Sequence, residues 1–155
     1  HGLFGFFKLL TPSGESIRFK LPAHANMFAI FQEPYDISVS VRNSGMFRVI
    51  NAAEALRLHP RPADLTGFTV RVHDTILPEN DHTYRVDCSG QTTVTIDDSA
   101  EADLELSIQA LSQLLPGAMD LPTLLTCRQD IQLHRPSDAL LKAFPTNPCF
   151  LIENF

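Results

Sequence analysis

The chain has 155 residues, 44% of them hydrophobic and 19% charged, with 12 Lys and Arg against 18 Asp and Glu and a net charge of −6. That length fits one domain, or one domain and a fragment of another, and is enough to bury a sizeable core. The acidic balance and scattered basic residues exclude a nucleic-acid surface and a polybasic membrane contact, and no apolar run is long enough to span a bilayer.

The chain opens on His1 with neither an initiator Met nor a secretory signal, so it is expected to be a piece of a longer protein. Cys88, Cys127 and Cys149 form neither a CxxC pair nor an even set. They read as reduced thiols of a cytoplasmic protein, with Cys88 and Cys127 buried as small hydrophobes.

Residues 3–10 and 17–21 read as a hairpin across Thr11–Glu15, with Ile17, Phe19 and Leu21 on one face. Residues 22–34 read as loop. Alternation returns over 35–41 and breaks at Asn43-Ser44-Gly45, the candidate boundary between domains. Met46–Ile50 is expected to be a short strand. Asn51 is placed to cap a helix over Ala52–His59, with Glu54 completing a capping box, and Pro60 stops it.

Residues 67–97 carry the clearest pattern. Phe68, Val70 and Val72, then Tyr84, Val86 and Cys88, then Val94 and Ile96 alternate with polar residues, which gives a three-stranded antiparallel meander with one apolar face. Ser89-Gly90 reads as its tight turn, with Gly taking positive φ. Leu104, Leu106 and Ile108 predict another strand.

The remainder turns helical. Leu111, Leu114 and Leu115 lie on a helix over Gln109–Leu115, stopped by Pro116-Gly117. Asp120 caps a helix with Pro122 in its first turn and Leu121, Leu124 and Leu125 inside. Ile131 and Leu133 suggest a short strand. Ser137 caps a last helix bearing Leu140, Leu141 and Phe144. Strands followed by segregated helices make the fold class α+β, a mostly antiparallel sheet with helices on one face.

Few residues carry obvious chemistry. His73, Asp74, Glu79, Asp81 and His82 cluster between strands, but their spacing matches no metal loop and reads as a solvated connector. No Gly-x-Ser-x-Gly elbow or phosphate-cradling glycine loop is present. The apolar strand faces and helices enclose either a lipid cavity or a filled core. The tail from Cys149 to Phe155 is apolar enough to dock, and its α-carboxylate lies either at the surface or in a cleft, where desolvation would raise its pKa toward general-base duty.

Several runs carry a family resemblance. They are Met46-Phe-Arg-Val-Ile-Asn51-Ala-Ala-Glu54-Ala-Leu56, then Val70-Arg-Val-His-Asp74 with Leu77-Pro-Glu-Asn80 and Tyr84-Arg-Val86. Ala102 to Gly117 and Leu140 to Phe155 follow. In order and spacing, residues 46–155 resemble a sterol-carrier-protein-2-like domain. More closely, they resemble the C-terminal domain of bacterial acetyltransferases of the enhanced intracellular survival type, a branch of the GNAT family. Asn51 stands where those relatives often carry Asp.

The resemblance implies that residues 1–45 are the last strands of an acetyltransferase-like domain. The acetyl-CoA site would lie in N-terminal acetyltransferase domains outside this chain. The terminal carboxylate of Phe155 would be the general base of the parent N-acetyltransferase, and the parent would be a homo-oligomer, often a hexamer in such families. A lipid or sterol carrier module is the alternative. It requires a cavity where Phe68, Tyr84, Leu104, Leu111 and Leu124 would otherwise meet. A scaffold for subunit assembly is the third reading.

Overall fold

The computed structural model describes residues 45–147 continuously, together with 16, 18–22, 25–26, 28 and 37–40. Of the hairpin expected at 3–10 and 17–21 and the strand expected at 35–41, residues 3–10, 17, 35–36 and 41 lie outside the described residues, as do Cys149 and Phe155; 18–21 and 37–40 are described and belong to no helix or strand. Within 45–147 the elements follow in the order α1 (Ala52–Leu58), β1 (Gly67–His73), a single 3-10 turn (Pro78–Asn80), β2 (Thr83–Asp87), β3 (Thr93–Ile96), β4 (Leu104–Ser107), α2 (Ile108–Leu114), α3 (Leu121–Cys127), β5 (Ile131–Leu133) and α4 (Asp138–Leu141).

The five strands form one sheet in the order β3-β2-β1-β4-β5. The meander β1-β2-β3 is antiparallel throughout. β4 then joins the other side of β1 in parallel, and β5 returns antiparallel to β4. The 97–103 connection crosses from the β3 edge to β4, with Asp97 N–H donating to Thr83 O and Asp103 N–H to Thr69 O.

Register puts the apolar residues on one face. Val70 stands beside both Tyr84 and Leu104, Val72 beside Leu106, and Phe68 beside Val86. All seven are buried, and they share one core with Leu56, Ile108, Leu111, Leu114, Leu121, Leu124, Leu140 and Phe144 from the helical side. The α+β class stands, with helices covering one face of a mostly antiparallel sheet.

Local chemistry accounts for the helix starts. The side chains of Asn51, Ser107, Asp120 and Ser137 each accept a backbone N–H from the first turn of their helix, satisfying a donor that would otherwise have no partner.

Six further expectations need correction. Met46–Ile50 is not a strand, because Val49 N–H donates to Ser112 Oγ (2.9 Å) and Asn80 Nδ2 to Ile50 O (3.0 Å), so side chains take up its backbone groups. Ile108 opens α2 instead of ending β4, since Ser107 caps there. Glu54 does not reach back to close a capping box; its carboxylate is held by Arg57.

Gly90 does not take positive φ. The β2–β3 turn is shaped instead by Asp87, whose Oδ1 accepts both Ser89 N–H (2.8 Å) and Ser89 Oγ–H (2.6 Å). Ile96 is exposed at the end of the outer strand. Cys127 is exposed as well. It sits six residues after Leu121, about 120° off that residue at 100° per residue, whereas Leu124 falls on the buried side.

Candidate functional site on the polar face of the sheet

The sheet face opposite the helices carries a cluster of charged and imidazole side chains. β1 contributes Arg71 and His73, and β4 contributes Glu105, which lies beside Arg71 in the register. His134 and Arg135 follow β5. Glu105 is shared between two imidazoles, with His73 Nε2 2.7 Å from Oε1 and His134 Nε2 3.2 Å from Oε2. These contacts, His73 first, lower the Glu105 carboxyl below its usual range. Arg71 Nη2 pairs with Asp81 at 2.8 Å, and Arg135 with Glu101 and Asp103.

A shallow groove of about 590 Å³ runs over this face, lined by Arg71, Thr83 and Glu105 from the strands, by Asp98 and Ala100 to Ala102, and by His134 and Arg135. A smaller hollow of about 150 Å³ lies between His73, Glu105 and Asp130. Each acid named here already faces a cation or an imidazole, and the groove offers no thiol or activated hydroxyl. A carboxylate with a lowered pKa is a weaker base, so Glu105 is poorly suited to proton abstraction. The arrangement suits polar contact rather than bond-making.

The connector residues read from the sequence divide. Asp81, Glu79 and His82 do sit in or beside the turn. Asp74 is not solvated. It is 4% exposed and accepts from Arg48 Nη2 (2.7 Å), Ile76 N–H (3.0 Å), Leu77 N–H (3.1 Å) and Asn80 Nδ2 (3.1 Å). Burial alone would raise its pKa. The donors from Ile76, Asn80, Leu77 and Arg48 outweigh it and hold the carboxyl at about 2. Asn80, 2% exposed, also accepts Ala52 N–H (2.9 Å), so it anchors the start of α1. Among the described residues no three His, Cys, Asp or Glu are grouped to hold a metal ion.

Two further residues went unnoticed in the sequence. His59 is buried, stacks on Phe144 with ring centroids 5.3 Å apart, and lies 3.1 Å through Nε2 from Ala143 O. Burial lowers its pKa and favours the neutral ring. Arg61 places its guanidinium 5.0 Å over the Phe68 ring and donates to Leu56 O. Its charge also lies close enough to Cys88 to oppose the rise that burial imposes on that thiol. The signal was faint: in the sequence His59 reads as the last residue of a helix stopped by Pro60, and Arg61 as part of an ordinary loop.

The chain belongs to the sterol carrier protein domain family, which matches residues 43–148. Its structure is similar to Eis1 from Mycobacterium abscessus, with a TM-score of 0.59 and 21% identity over 70% of this chain and 27% of that one. It is also similar to GCN5-related N-acetyltransferases from Kribbella flavida (0.57, 18%, over 70% and 28%) and Anabaena variabilis (0.54, 20%, over 65% and 26%). At these identities the likeness is one of fold. The chain spans about a quarter of the length of each of those proteins. No curated protein sequence matches it. Among the described residues no helix is long and apolar enough to cross a membrane.

Proposed function

We propose that this chain is the C-terminal part of an N-acetyltransferase and serves that enzyme as an assembly surface and as the source of its terminal carboxylate. Residues 1–45 would then be the closing strands of an acetyltransferase-like domain, and 46–155 the sterol-carrier-like domain. The observation that carries the reading is the shared fold with about a quarter of three proteins whose own names include an acetyltransferase or Eis designation. Exposed apolar side chains support it too: Met46, Phe47, Ile50 and Leu58 face solvent where a packed neighbour would cover them.

The described residues do not fit acetyl-CoA. Gly45, Gly67, Gly90 and Gly117 are scattered and make no phosphate-cradling loop. In this proposal the acetyl donor binds in the N-terminal domains, in a cytoplasmic homo-oligomer that uses neither nucleic acid nor membrane. The α-carboxylate of Phe155 takes the proton of the acceptor amine.

The test is acetyl transfer by the full-length enzyme. Deleting Phe155 retracts the carboxylate by about 3.5 Å and is expected to lower kcat by about 100-fold or more. Phe155→Ala keeps the carboxylate in place and is expected to retain most of the rate. An unchanged rate after deletion defeats the proposal.

Family membership supports a second reading, a lipid or sterol carrier. The packing weighs against it, because Phe68, Tyr84, Leu104, Leu111 and Leu124 are each at most 6% exposed and fill the space between sheet and helices. Saturable binding of a fluorescent sterol or fatty acid by the chain would favour the carrier.

A further inference from the structure

Arg61 differs from every other arginine of residues 45–147. Arg48, Arg57, Arg71, Arg85, Arg128 and Arg135 each pair with a carboxylate. Arg61 pairs with none among the described residues. Its Nη2 donates to Leu56 O at 2.7 Å, while Nε and Nη1 are buried without a hydrogen-bond partner. The guanidinium stands 5.0 Å from the centre of the Phe68 ring and 6.0 Å from that of Phe144. Ring faces attract a cation. They do not replace the acceptors that water would supply, and a buried charge without a counter-ion is costly.

This cluster lies beside the end of the described chain. His59 stacks on Phe144 and its Nε2 is 3.1 Å from Ala143 O. Asn147, three residues after Phe144, is tied through its N–H to Gly117 O. The segment 148–155 therefore starts within about 10 Å of chain from Phe144. The chain ahead of residue 45 joins the domain elsewhere. It enters at the start of α1, where Ala52 N–H is held by Asn80, whereas Arg61 follows the end of that helix, about 10 Å along its axis.

Composition favours the later segment as well. It reads Pro-Cys-Phe-Leu-Ile-Glu-Asn-Phe, with Phe150, Leu151, Ile152 and Phe155 as large apolar residues and Glu153 as its one acidic side chain. That is the complement of an aromatic cluster around an unmatched cation. The six residues from Asn147 to Glu153 can span up to about 20 Å, enough to return past Phe144.

We propose that residues 148–153 fold back over Phe144 and that the Glu153 carboxylate is the counter-ion of Arg61. The pair gives the orphaned donors an acceptor, and the apolar side chains of 150–152 shield it from water, which strengthens it. Held at Glu153, the chain keeps two residues, about 7 Å, to carry the carboxylate of Phe155 onward. The clasp goes beyond the role proposed for that carboxylate and does not depend on it.

A double-mutant cycle in the 155-residue chain tests the pairing. Glu153→Ala and Arg61→Met are each expected to lower the urea midpoint by about 1 M. Glu153→Ala added to Arg61→Met is expected to lower it no further, because the partner is already gone. Hydrogen exchange of the 148–155 peptide, read by mass spectrometry, is the second measurement. Exchange over 150–153 is expected to quicken about tenfold in Glu153→Ala and in Arg61→Met alike, and to stay unchanged in Asn154→Ala. If Arg61→Met does not fold, the exchange of Glu153→Ala decides alone. Additive losses in the cycle, or exchange that Glu153→Ala leaves unchanged, overturn the proposal and leave the two rings to hold the cation. Neither measurement involves acetyl transfer, so the clasp stands or falls apart from the role proposed for Phe155.

Discussion

Asp74 is the residue on which distant parts of the chain converge. Its carboxylate takes four donors from Arg48, Ile76, Leu77 and Asn80, and Asn80 in turn holds Ala52 N–H. Removing a buried, fully bonded charge leaves every donor without its acceptor. Asp74→Ala is therefore expected to cost about 3 kcal/mol in urea unfolding at neutral pH. Glu54→Ala breaks a pair with Arg57 that is exposed on both sides, and its effect is expected to lie within the error of the same measurement. If the two variants unfold alike, Asp74 does not organise the turn. The sequence hid this. Asp74-x-Ile-Leu-Pro-Glu-Asn80 has the composition of a solvated loop, and nothing local announces that Arg48, 26 residues upstream, supplies a cation.

At the scale of elements, what was legible followed from period. Strict alternation located β1, β2 and β3 and their apolar face, and cap chemistry at Asn51, Asp120 and Ser137 located three helix starts. Elements set by distant partners were not legible. Met46–Ile50 has strand composition, yet Ser112 and Asn80 hold its backbone. The polar-face groove was equally hidden, because Glu105 meets His73 and His134 only once β4 inserts between β1 and β5.

One glycine ties an inter-element turn. Gly117, between α2 and α3, has φ of +76°, and a Cβ there would lie 2.5 Å from Asn147 N and 2.9 Å from Pro145 O. Asn147 N–H donates to Gly117 O at 2.9 Å, so the close approach joins this turn to the segment after α4. Gly117→Ala meets both a left-handed backbone and a backbone clash, and a loss of about 2 kcal/mol or more is expected. Gly90→Ala, with open space around its Cα and no positive φ, provides the control and is expected to leave the unfolding midpoint in place.

For the whole molecule, the carboxylates act in one direction. Asp74 and Asp130 are both held at about 2, from the 3.8 of an unperturbed Asp. At Asp130 the leading cause is the hydrogen bond from Arg128, with Ser107 adding to it against the effect of burial. Glu105, Asp87, Asp97, Asp98 and Asp120 are lowered too, in each case chiefly by a hydrogen bond the carboxylate accepts. Between the folded and unfolded values the native state binds fewer protons than the unfolded chain, so stability falls as pH falls. The contribution is complete above about pH 5, declines between about pH 4 and pH 2, and is gone once both states are protonated. Urea midpoints measured by circular dichroism are expected to hold steady from pH 7 to pH 5 as far as these groups are concerned and then drop. In Asp74→Asn, which has no carboxyl to titrate at that site, the curve starts lower and declines less steeply. A variant curve parallel to the parent's throughout would show that the Asp74 cluster does not govern acid stability.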